Sequence, residues 1–434
     1  MKRLIGSTTL LILALLSASG HAQNGFNLPY SQFGIGSAPS AYSTPLSGAM
    51  GGTLYSTRSN NYVNPYNPAS YAAVESQTFV LDIGTTMQRY TVSDNLNSMN
   101  DFDGNLSHLT FAFPLTSWWK TAIGLTPYSD MEYASTRITT LADGMQVKTV
   151  YDGNGEVFRV FWGNGFNINK KLSIGFNLNY LHGNINRAIT FDFLGSDTNY
   201  YVDSRRLKNT HVSSVYFDLG TQYVMELSER DQLIFGLSLQ LPRTLTTHDT
   251  AWIYTLAENS DNASSIIDTS HYTSDAELPV GIGLGVSYQH DQRWQLSADL
   301  HYAPWNGMKY KEGLSQPVFP ESGVDYVDNF TAAIGGAWLG DASSSNYWRR
   351  IGIYVGAHYD IGRLGLTLDS GKERIDEWGA GLSLAFPIRK GRSRILLSAA
   401  YSNMGTRDLM RVECLSFGIT LSSCEQWFIK RQYN

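Results

Sequence analysis

The sequence predicts an all-β protein, a transmembrane antiparallel β-barrel of about fourteen strands with an N-terminal hatch, or plug, in its lumen. The composition is the first indication, because 40 of the 434 residues are Gly, 26 are Tyr, and only 16% are charged. The second is a long series of segments in which apolar and small or polar residues alternate. The third is that short and long connections alternate between those segments.

The composition also excludes several other classes of protein. The 32 Lys and Arg residues are outnumbered by 38 Asp and Glu, and no basic domain is present, so a nucleic-acid partner is not expected. An aromatic content of 13% is too high for a disordered chain. A mean hydropathy of -0.21 is too polar for a bundle of membrane helices.

The first 22 residues predict a signal peptide. Lys2 and Arg3 precede an apolar run over 10–16, and small residues then lead to Ala22, after which we expect cleavage. Gln23 is not a cysteine, so a lipoprotein anchor is not expected. No later stretch is long and apolar enough for a transmembrane helix. The chain is therefore expected to be exported.

The exported chain is not expected to hold a disulfide, metal or cofactor. Cys414 and Cys424 fall at the two ends of one predicted extended segment, too far apart to bond, so we expect two free thiols. No Cys and His set has the spacing of a metal site. The nucleophile motif G-x-S-x-G is also missing from the sequence, and no enzymatic activity is predicted.

Residues 23–76 differ from the rest of the chain. They are rich in Gly, Ser, Ala, Asn and Tyr, with little alternation. A linker of this length is usually richer in charge or Pro. A barrel of about fourteen strands is wide enough that its lumen must be filled or lined. We therefore expect 23–76 to fold back into the lumen as a hatch, although a periplasmic linker is the alternative.

From residue 77 to 422 the alternation has the period of a β-strand. In 280–288, for example, apolar residues occupy every even position and Gly or Ser every odd one. The segments are also longer than most strands of soluble proteins and match the length of membrane-spanning strands. The predicted strands are 77–90, 106–115, 119–135, 155–167, 172–192, 206–226, 232–247, 277–290, 293–303, 328–339, 347–360, 376–386, 393–402 and 412–421.

The connections between these strands fall into two groups. Short connections are expected at 116–118, 169–171, 228–231 and 291–292, and long polar loops at 136–154, 248–276 and 304–327. Outer-membrane barrels have short periplasmic turns and long external loops, so both termini, including a tail at 423–434, are expected in the periplasm of a Gram-negative cell. A soluble sandwich is the alternative, but it leaves this alternation of lengths unexplained.

Several short motifs stand out in the hatch region and in the barrel. In the hatch region these are Met50, Gly51 and Gly52, followed by Asn67, Pro68 and Ala69. In the barrel they are 277–279 and 296–299, followed by Tyr302 and Trp305. Together they resemble the motifs of the FadL-type outer-membrane transporters of long-chain fatty acids and other hydrophobic compounds. The resemblance implies a fourteen-stranded barrel with an N-terminal hatch. The chain departs from the family in lacking a terminal Phe and in carrying Arg58 where many members are acidic.

The same resemblance suggests a role for Pro127, which follows Gly124 in the third predicted strand. Proline cannot donate a hydrogen bond to a neighbouring strand and is confined to edges and bulges. Pro127 either marks an inward kink that opens the barrel wall, as the resemblance implies, or lies beyond the membrane where the strand becomes a loop. The Asn67 triplet is likewise either part of the hatch or a simple turn.

Polar residues on the predicted lumen face form a further set of candidates. They are Asp82, Asp218, Asp299, His301 and His358. These side chains either bind cargo or gate the hatch, or they pair with cations of the hatch and lumen so that no buried charge is left alone.

The predicted function is passive uptake of hydrophobic, fatty-acid-like molecules, captured at the external loops and released sideways through the kinked third strand into membrane lipid. It requires an apolar pocket near Pro127 and 47–69. The alternative is a non-transporting barrel that docks a secretion or periplasmic partner. It requires a filled lumen, an unbroken wall and an apolar patch on the loops. The expected ligand is a hydrophobic or detergent-like small molecule.

Overall fold

The computed structural model describes residues 28–37, 44–194, 201–256, 263–291, 293–311, 324–341, 343–368, 371–388 and 393–426. The expected signal peptide at 1–22 and the end of the chain at 427–434 lie outside the described residues. The first strands are β1 (Thr78–Ser93), β2 (Ser98–Pro114), β3 (Trp119–Thr140), β4 (Gln146–Asn167), β5 (Leu172–Leu194), β6 (Ser204–Glu226), β7 (Asp231–Gln240), β8 (Arg243–Leu256), β9 (Ala263–Leu278) and β10 (Gly281–His290). The others are β11 (Trp294–Ala303), β12 (Tyr310–Lys311), β13 (Val324–Tyr326), β14 (Asn329–Trp338), β15 (Gly352–Ile361), β16 (Leu364–Leu368), β17 (Gly371–Arg374), β18 (Glu377–Ile388), β19 (Ser393–Met404) and β20 (Arg411–Gln426).

The predicted fourteen-stranded barrel is confirmed. Each wall strand pairs antiparallel with the next, in the order β1 to β7, then β10, β11, β14, β15, β18, β19 and β20. The barrel closes where β20 pairs with β1, from Arg411 with Ser93 to Gln426 with Thr78. The last strand therefore extends beyond the expected boundary at 422. Cys414 and Cys424 both lie in this strand, and no disulfide joins them.

Strands β8 and β9 continue β7 and β10 beyond the barrel wall. The breaks are at Pro242 and Pro279, which lack the N–H needed to continue a ladder. β8 then pairs with the far half of β6, and β9 pairs with β8. We call this side, which includes the β3–β4 and β8–β9 hairpins, the long-hairpin end, and the opposite side the short-turn end.

The prediction of long loops is wrong at two of the three expected positions. Residues 136–154 and much of 248–276 are strands of protruding hairpins. These hairpins extend beyond the apolar part of the outer wall, so their outer faces are polar. Because of this polarity, the sequence predicted loops at these positions. Their inner faces keep the alternation: Leu245 and Thr247 of β8 are buried, whereas Thr246 and His248 are exposed. The third expected loop, 304–327, contains β12, β13 and a 3-10 helix at Trp305–Gly307 within its described residues.

The outer wall carries an apolar belt, as a membrane barrel requires. Large apolar side chains of neighbouring strands remain exposed, and Ile334 is 64% accessible. The inner face instead carries buried Asp, Asn, Gln, Ser and Gly residues. Exposed apolar and buried polar side chains reverse the arrangement of a soluble protein, so the strands face lipid outside and a filled lumen inside.

The described part of the hatch fills that lumen. It contains a 3-10 helix at Pro29–Gln32, a short α-helix at Pro45–Ala49 and a second 3-10 helix at Pro68–Ala73. The α-helix begins with a capping box in which the Thr44 and Ser47 side chains bond each other's backbone N–H groups. Nearly all residues of 44–74 are buried or partly buried.

Candidate site at the hatch and the lateral gap

The barrel wall has a gap between β2 and β3. The two strands pair only from Leu109 with Leu125 to Pro114 with Lys120, at the short-turn end. Beyond Leu125, β3 continues to Thr140 along β4, and the matching part of β2 continues along β1. The facing edges of β2 and β3 are therefore not joined by the ladder on the long-hairpin side of Leu125.

Pro127 lies two residues beyond the last β2–β3 pair. It is opposite Phe158 of β4, and the β3–β4 register shifts between Pro127 and Ser129, which marks a β-bulge. A bulge bends a strand and increases its twist, and proline adds no donor to the free edge. The structure thus places Pro127 within a long strand at the start of the gap. Gly124 faces inward, where a Cβ would overlap the ring of Phe161.

Residues 28–37, which we call the covering segment, lie along the free edge of β3. The Ser37 N–H donates to the Asp130 carbonyl at 2.8 Å, and the Asp130 N–H donates to the Ser37 carbonyl at 2.9 Å. The Leu28 N–H and the Ser31 hydroxyl both donate to the Glu132 carbonyl, at 2.7 and 3.0 Å. The hatch thereby supplies β3 with hydrogen-bond partners that β2 does not.

The covering segment also occupies an apolar chamber at the long-hairpin end. Its wall is a cluster of buried side chains that includes Met131, Val157, Leu181, Ile185, Val212 and Leu245. Ile35 packs against this cluster, and Phe33 lines the small cavity of about 50 Å³ that remains there. The chamber is therefore filled by the protein's own side chains.

A second cavity, of about 290 Å³, lies between the hatch and the covering segment. Pro127 and Gly52 both contribute to its lining, so it has the position expected for an apolar pocket. Its lining is mixed, with the aromatic Trp305 beside the charged Arg159 and Arg243. The space near Pro127 is thus a cavity of mixed polarity that lies beside the filled chamber.

A third cavity, of about 210 Å³, adjoins the gap itself. Pro127, Asp130, Glu156 and Glu377 line it together with residues of β1, β2, β19 and β20. Among the described residues that line this cavity there is no Lys or Arg. The space beside the gap is thus acidic.

The two hatch motifs are structural elements of the plug. The Asn67 side chain is buried and caps the second 3-10 helix, with its Oδ1 accepting from the Ala69 N–H at 3.1 Å. Its Nδ2 donates to the Tyr55 carbonyl at 2.6 Å. Gly51 and Gly52, which follow the buried Met50, have φ values of 63° and 84°, a left-handed conformation that favours glycine. Pro68 begins the helix that Asn67 caps.

Glycines of the wall allow the hatch backbone to approach closely. A Cβ on Gly356 would overlap the Met50 backbone, and one on Gly236 would overlap the Tyr55 carbonyl. Similar contacts are spread around the barrel. They involve Gly165, Gly175, Gly220, Gly335, Gly381 and Gly418. The high Gly content of the sequence thus has a packing role. The wall glycines allow residues 45–72 to contact several strands at once.

The acidic lumen residues hold the hatch through its backbone. The Asp299 carboxylate accepts from the Leu54 and Tyr55 N–H groups, at 2.5 and 2.7 Å. Asp82 accepts from the Val63 N–H at 2.7 Å. These carboxylates bond backbone amides of the hatch, and Asp299 also accepts from the Ser56 hydroxyl at 3.4 Å. Pairing with a cation was one of the two alternatives for these residues.

The remaining lumen candidates have more varied surroundings. Asp218 accepts from the Asn179 side chain at 2.8 Å, a contact within the wall. His301 lies 3.2 Å from the Tyr55 hydroxyl, and His358 Nε2 is 3.9 Å from Glu377 Oε1.

Sequence reasoning missed two inward-facing residues. Gln222 donates to the Tyr55 carbonyl at 3.0 Å, and Arg159 lies over the rings of Tyr66 and Phe161. Gln222 has the same strand parity as Asp218, so the alternation of β6 was a signal for it.

The described residues contain no group of three or more His, Cys, Asp or Glu arranged to hold a metal ion. They also contain no helix with the length and apolar character needed to cross a membrane.

A comparison with protein families identifies the chain. The model of the family described as BamG matches residues 2–434. The chain belongs to the BamG family. A search of curated proteins found no match.

Solved structures share the fold of this BamG-family chain at low sequence identity. The CymD monoaromatic hydrocarbon channel has a TM-score of 0.55 and 13% identity, and the match covers 90% of this chain and 98% of that one. The toluene transporter TbuX of Ralstonia pickettii has a TM-score of 0.55 and 14% identity, and the match covers 88% of this chain and 97% of that one. A FadL homologue of Pseudomonas aeruginosa has a TM-score of 0.53 and 14% identity, and the match covers 93% of this chain and 100% of that one.

The expected resemblance to FadL-type transporters is thus confirmed for the fold, while the matching family is BamG. The shared fold is a closed fourteen-stranded antiparallel β-barrel.

Proposed function

We propose that the protein is a passive outer-membrane channel that transfers small hydrophobic molecules into the membrane through the gap between β2 and β3. The end of the β2–β3 ladder at Leu125 is the observation that carries this proposal. A hydrophobic molecule leaving through the wall never has to cross the polar plug below. Three of the structures with the same fold, CymD, TbuX and the Pseudomonas putida transporter TodX, are described as monoaromatic hydrocarbon or toluene transporters, which supports the choice of cargo.

Entry begins at the long-hairpin end in this proposal. Ile266 and Ile267, in the β8–β9 hairpin, are both more than 60% exposed and offer an apolar surface for capture. The short-turn end, where β20 ends at Gln426, then faces the periplasm. The molecule then enters the apolar chamber, because the side chain of Ile35 already packs against its wall.

The covering segment acts as the gate. A hydrophobic molecule that enters the chamber replaces Ile35 there, and burial of its own apolar surface stabilises the exchange by about 25 cal/mol per Å². Withdrawal of the segment breaks the Ser37–Asp130 bridge and opens the gap toward lipid. Residues 45–72 remain in place, since their glycine contacts and the Asp299 carboxylate are not involved.

A cross-link tests the gate directly. Ser37→Cys with Asp130→Cys joins the covering segment to β3, with Cys414 and Cys424 replaced by Ser to avoid mispairing. We expect uptake of labelled toluene, in cells that lack their own transporter, to be lost in the oxidised protein and restored by reduction. The two single cysteine variants are the controls. Equal uptake in both redox states, from a correctly folded barrel, contradicts the gate.

A second candidate is a docking component of a larger outer-membrane assembly. Its support is a long connection at the short-turn end, 339–351, which contains a 3-10 helix and exposes Trp348 at 74%. The filled chamber also fits a barrel that does not transport. If no hydrophobic solute is taken up in either redox state, this candidate is favoured, and loss of a co-purifying partner in Trp348→Ser would support it.

A further inference from the structure

A fourth cavity, of about 630 Å³, lies between the hatch and the short-turn end of the barrel. Hatch residues 58–66 line it on one side, and inward-facing residues of β1, β19 and β20 line it on another. The exposed Lys170 in the β4–β5 turn and the exposed Glu226 at the end of β6 also border it, so the cavity opens toward the short-turn end. Its volume is within the range of small-molecule sites, about 300–1,000 Å³.

The wall of this cavity carries buried oxygen atoms without a hydrogen-bond partner among the described residues. Asp82 Oδ2 accepts from the Val63 N–H of the hatch at 2.7 Å, but Asp82 Oδ1 accepts from no group. Ser422 is opposite Asp82 in the ladder, and its single hydroxyl hydrogen is donated to the Asn61 carbonyl. Thr420 Oγ1 on the same strand is also without a partner. Because Asp82 and Thr420 are only 2% and 4% exposed, these oxygen atoms favour a bound group that can donate to them.

Arg394 of β19 presents the opposite charge to the same cavity. Its Nη1 donates to the Tyr354 hydroxyl at 3.3 Å, and its buried Nε has no acceptor among the described residues. Asp82 and Arg394 are each opposite Ser422, on the two strands that flank β20. Their Cα atoms are therefore about 10 Å apart, which is twice the spacing of neighbouring strands. An unused acceptor and an unused donor of opposite charge thus face one cavity.

We propose that this cavity binds a short zwitterionic peptide, with its ammonium group on Asp82 and its carboxylate on Arg394. An extended chain spans at most about 3.6 Å per residue, so two or three residues fit between the two charges and a single amino acid is too short. Thr420 Oγ1 accepts a further hydrogen bond from the ammonium group. Leu46 and Leu396 also line the cavity and suit an apolar side chain of the peptide. The site is independent of the proposed release through the gap.

Calorimetric titration of the intact barrel, in detergent, with the dipeptide alanyl-leucine tests the site. Two derivatives of the same dipeptide separate the two charges, because the N-acetylated form lacks the ammonium group and the C-terminal amide lacks the carboxylate. We expect the unmodified dipeptide to bind, and each derivative to bind about tenfold or more weakly, since each loses a charge-assisted hydrogen bond. Absence of dipeptide binding, or equal binding of all three forms, would overturn the proposal.

Two substitutions assign the charges to their partners. Asp82→Asn keeps an oxygen for the Val63 N–H but removes the negative charge, so it should abolish the difference in affinity between the unmodified and N-acetylated dipeptides. Arg394→Gln should likewise abolish the difference between the dipeptide and its amide. The matched control is Asp299→Asn, which removes another carboxylate that holds the hatch backbone but is not among the residues lining this cavity. It should leave all three affinities unchanged. An equal loss of binding in Asp299→Asn and Asp82→Asn would contradict a direct contact with Asp82.

Discussion

Ser37 and Asp130 exchange two backbone hydrogen bonds, of 2.8 and 2.9 Å, at a point where β3 has no partner in β2. The bridge joins the first described part of the hatch to the edge of the wall. It therefore connects the filling of the apolar chamber to the closure of the gap, because Phe33 and Ile35 belong to the same short segment.

Ser37→Pro should open this bridge. Proline has no N–H to donate to Asp130, and loss of one such bond costs about 1 kcal/mol. We expect hydrogen exchange at the Asp130 amide to accelerate about fivefold or more. Ser37→Ala keeps the N–H and is the matched control. Exchange that stays equally slow in Ser37→Pro would show that the segment is held by other contacts.

Pro127→Ala should restrict lateral release. The substitution returns an N–H to β3 next to the last β2–β3 pair and removes a residue that favours the bulge. Uptake of labelled toluene should fall several-fold, with the amount of folded barrel measured by its heat-modifiable migration on gels. Pro114→Ala, at the end of β2, is the control and should have little effect. Unchanged uptake would mean that the bulge does not depend on Pro127.

The acidic cavity beside the gap should discriminate by charge. At pH 8.5, where Asp130 and Glu156 are ionised, their carboxylates repel an anion. Asp130→Asn with Glu156→Gln should raise uptake of a long-chain fatty acid anion relative to toluene, measured in the same cells. Asp268→Asn, in the exposed β8–β9 hairpin, should not change this ratio. A fall in the ratio would contradict an electrostatic barrier at the gap.

Gly356→Val should loosen the hatch. Its side chain would overlap the Met50 backbone, and overpacking of this kind costs about 1–3 kcal/mol. We expect ion leakage through the lumen to rise in planar bilayers. Gly336→Val is the control, because the nearest atom to a Cβ at Gly336 is in the Leu296 side chain, at 3.4 Å, and no hatch atom is among its neighbours. Equal leakage in the two variants would indicate that glycine contacts do not hold the plug.

Sequence reasoning identified the membrane strands because a period of two residues is a local property. Val280 to Tyr288 shows the pattern without reference to any other part of the chain. The same reasoning placed Pro127 in the third strand and Asn67 in the hatch, because the alternation is present around Pro127 and absent around Asn67. It misjudged the β3–β4 and β8–β9 hairpins, since strands beyond the lipid have polar outer faces that resemble loops.

Only the tertiary structure decided how these elements meet. Whether an inward glycine such as Gly356 receives the hatch depends on a contact with Met50, far away in the chain. The Ser37–Asp130 bridge likewise joins residues that are far apart in the chain. Composition and alternation therefore determine a barrel with a plug, but the gap, its cover and the filled chamber result from long-range packing, which no local pattern encodes.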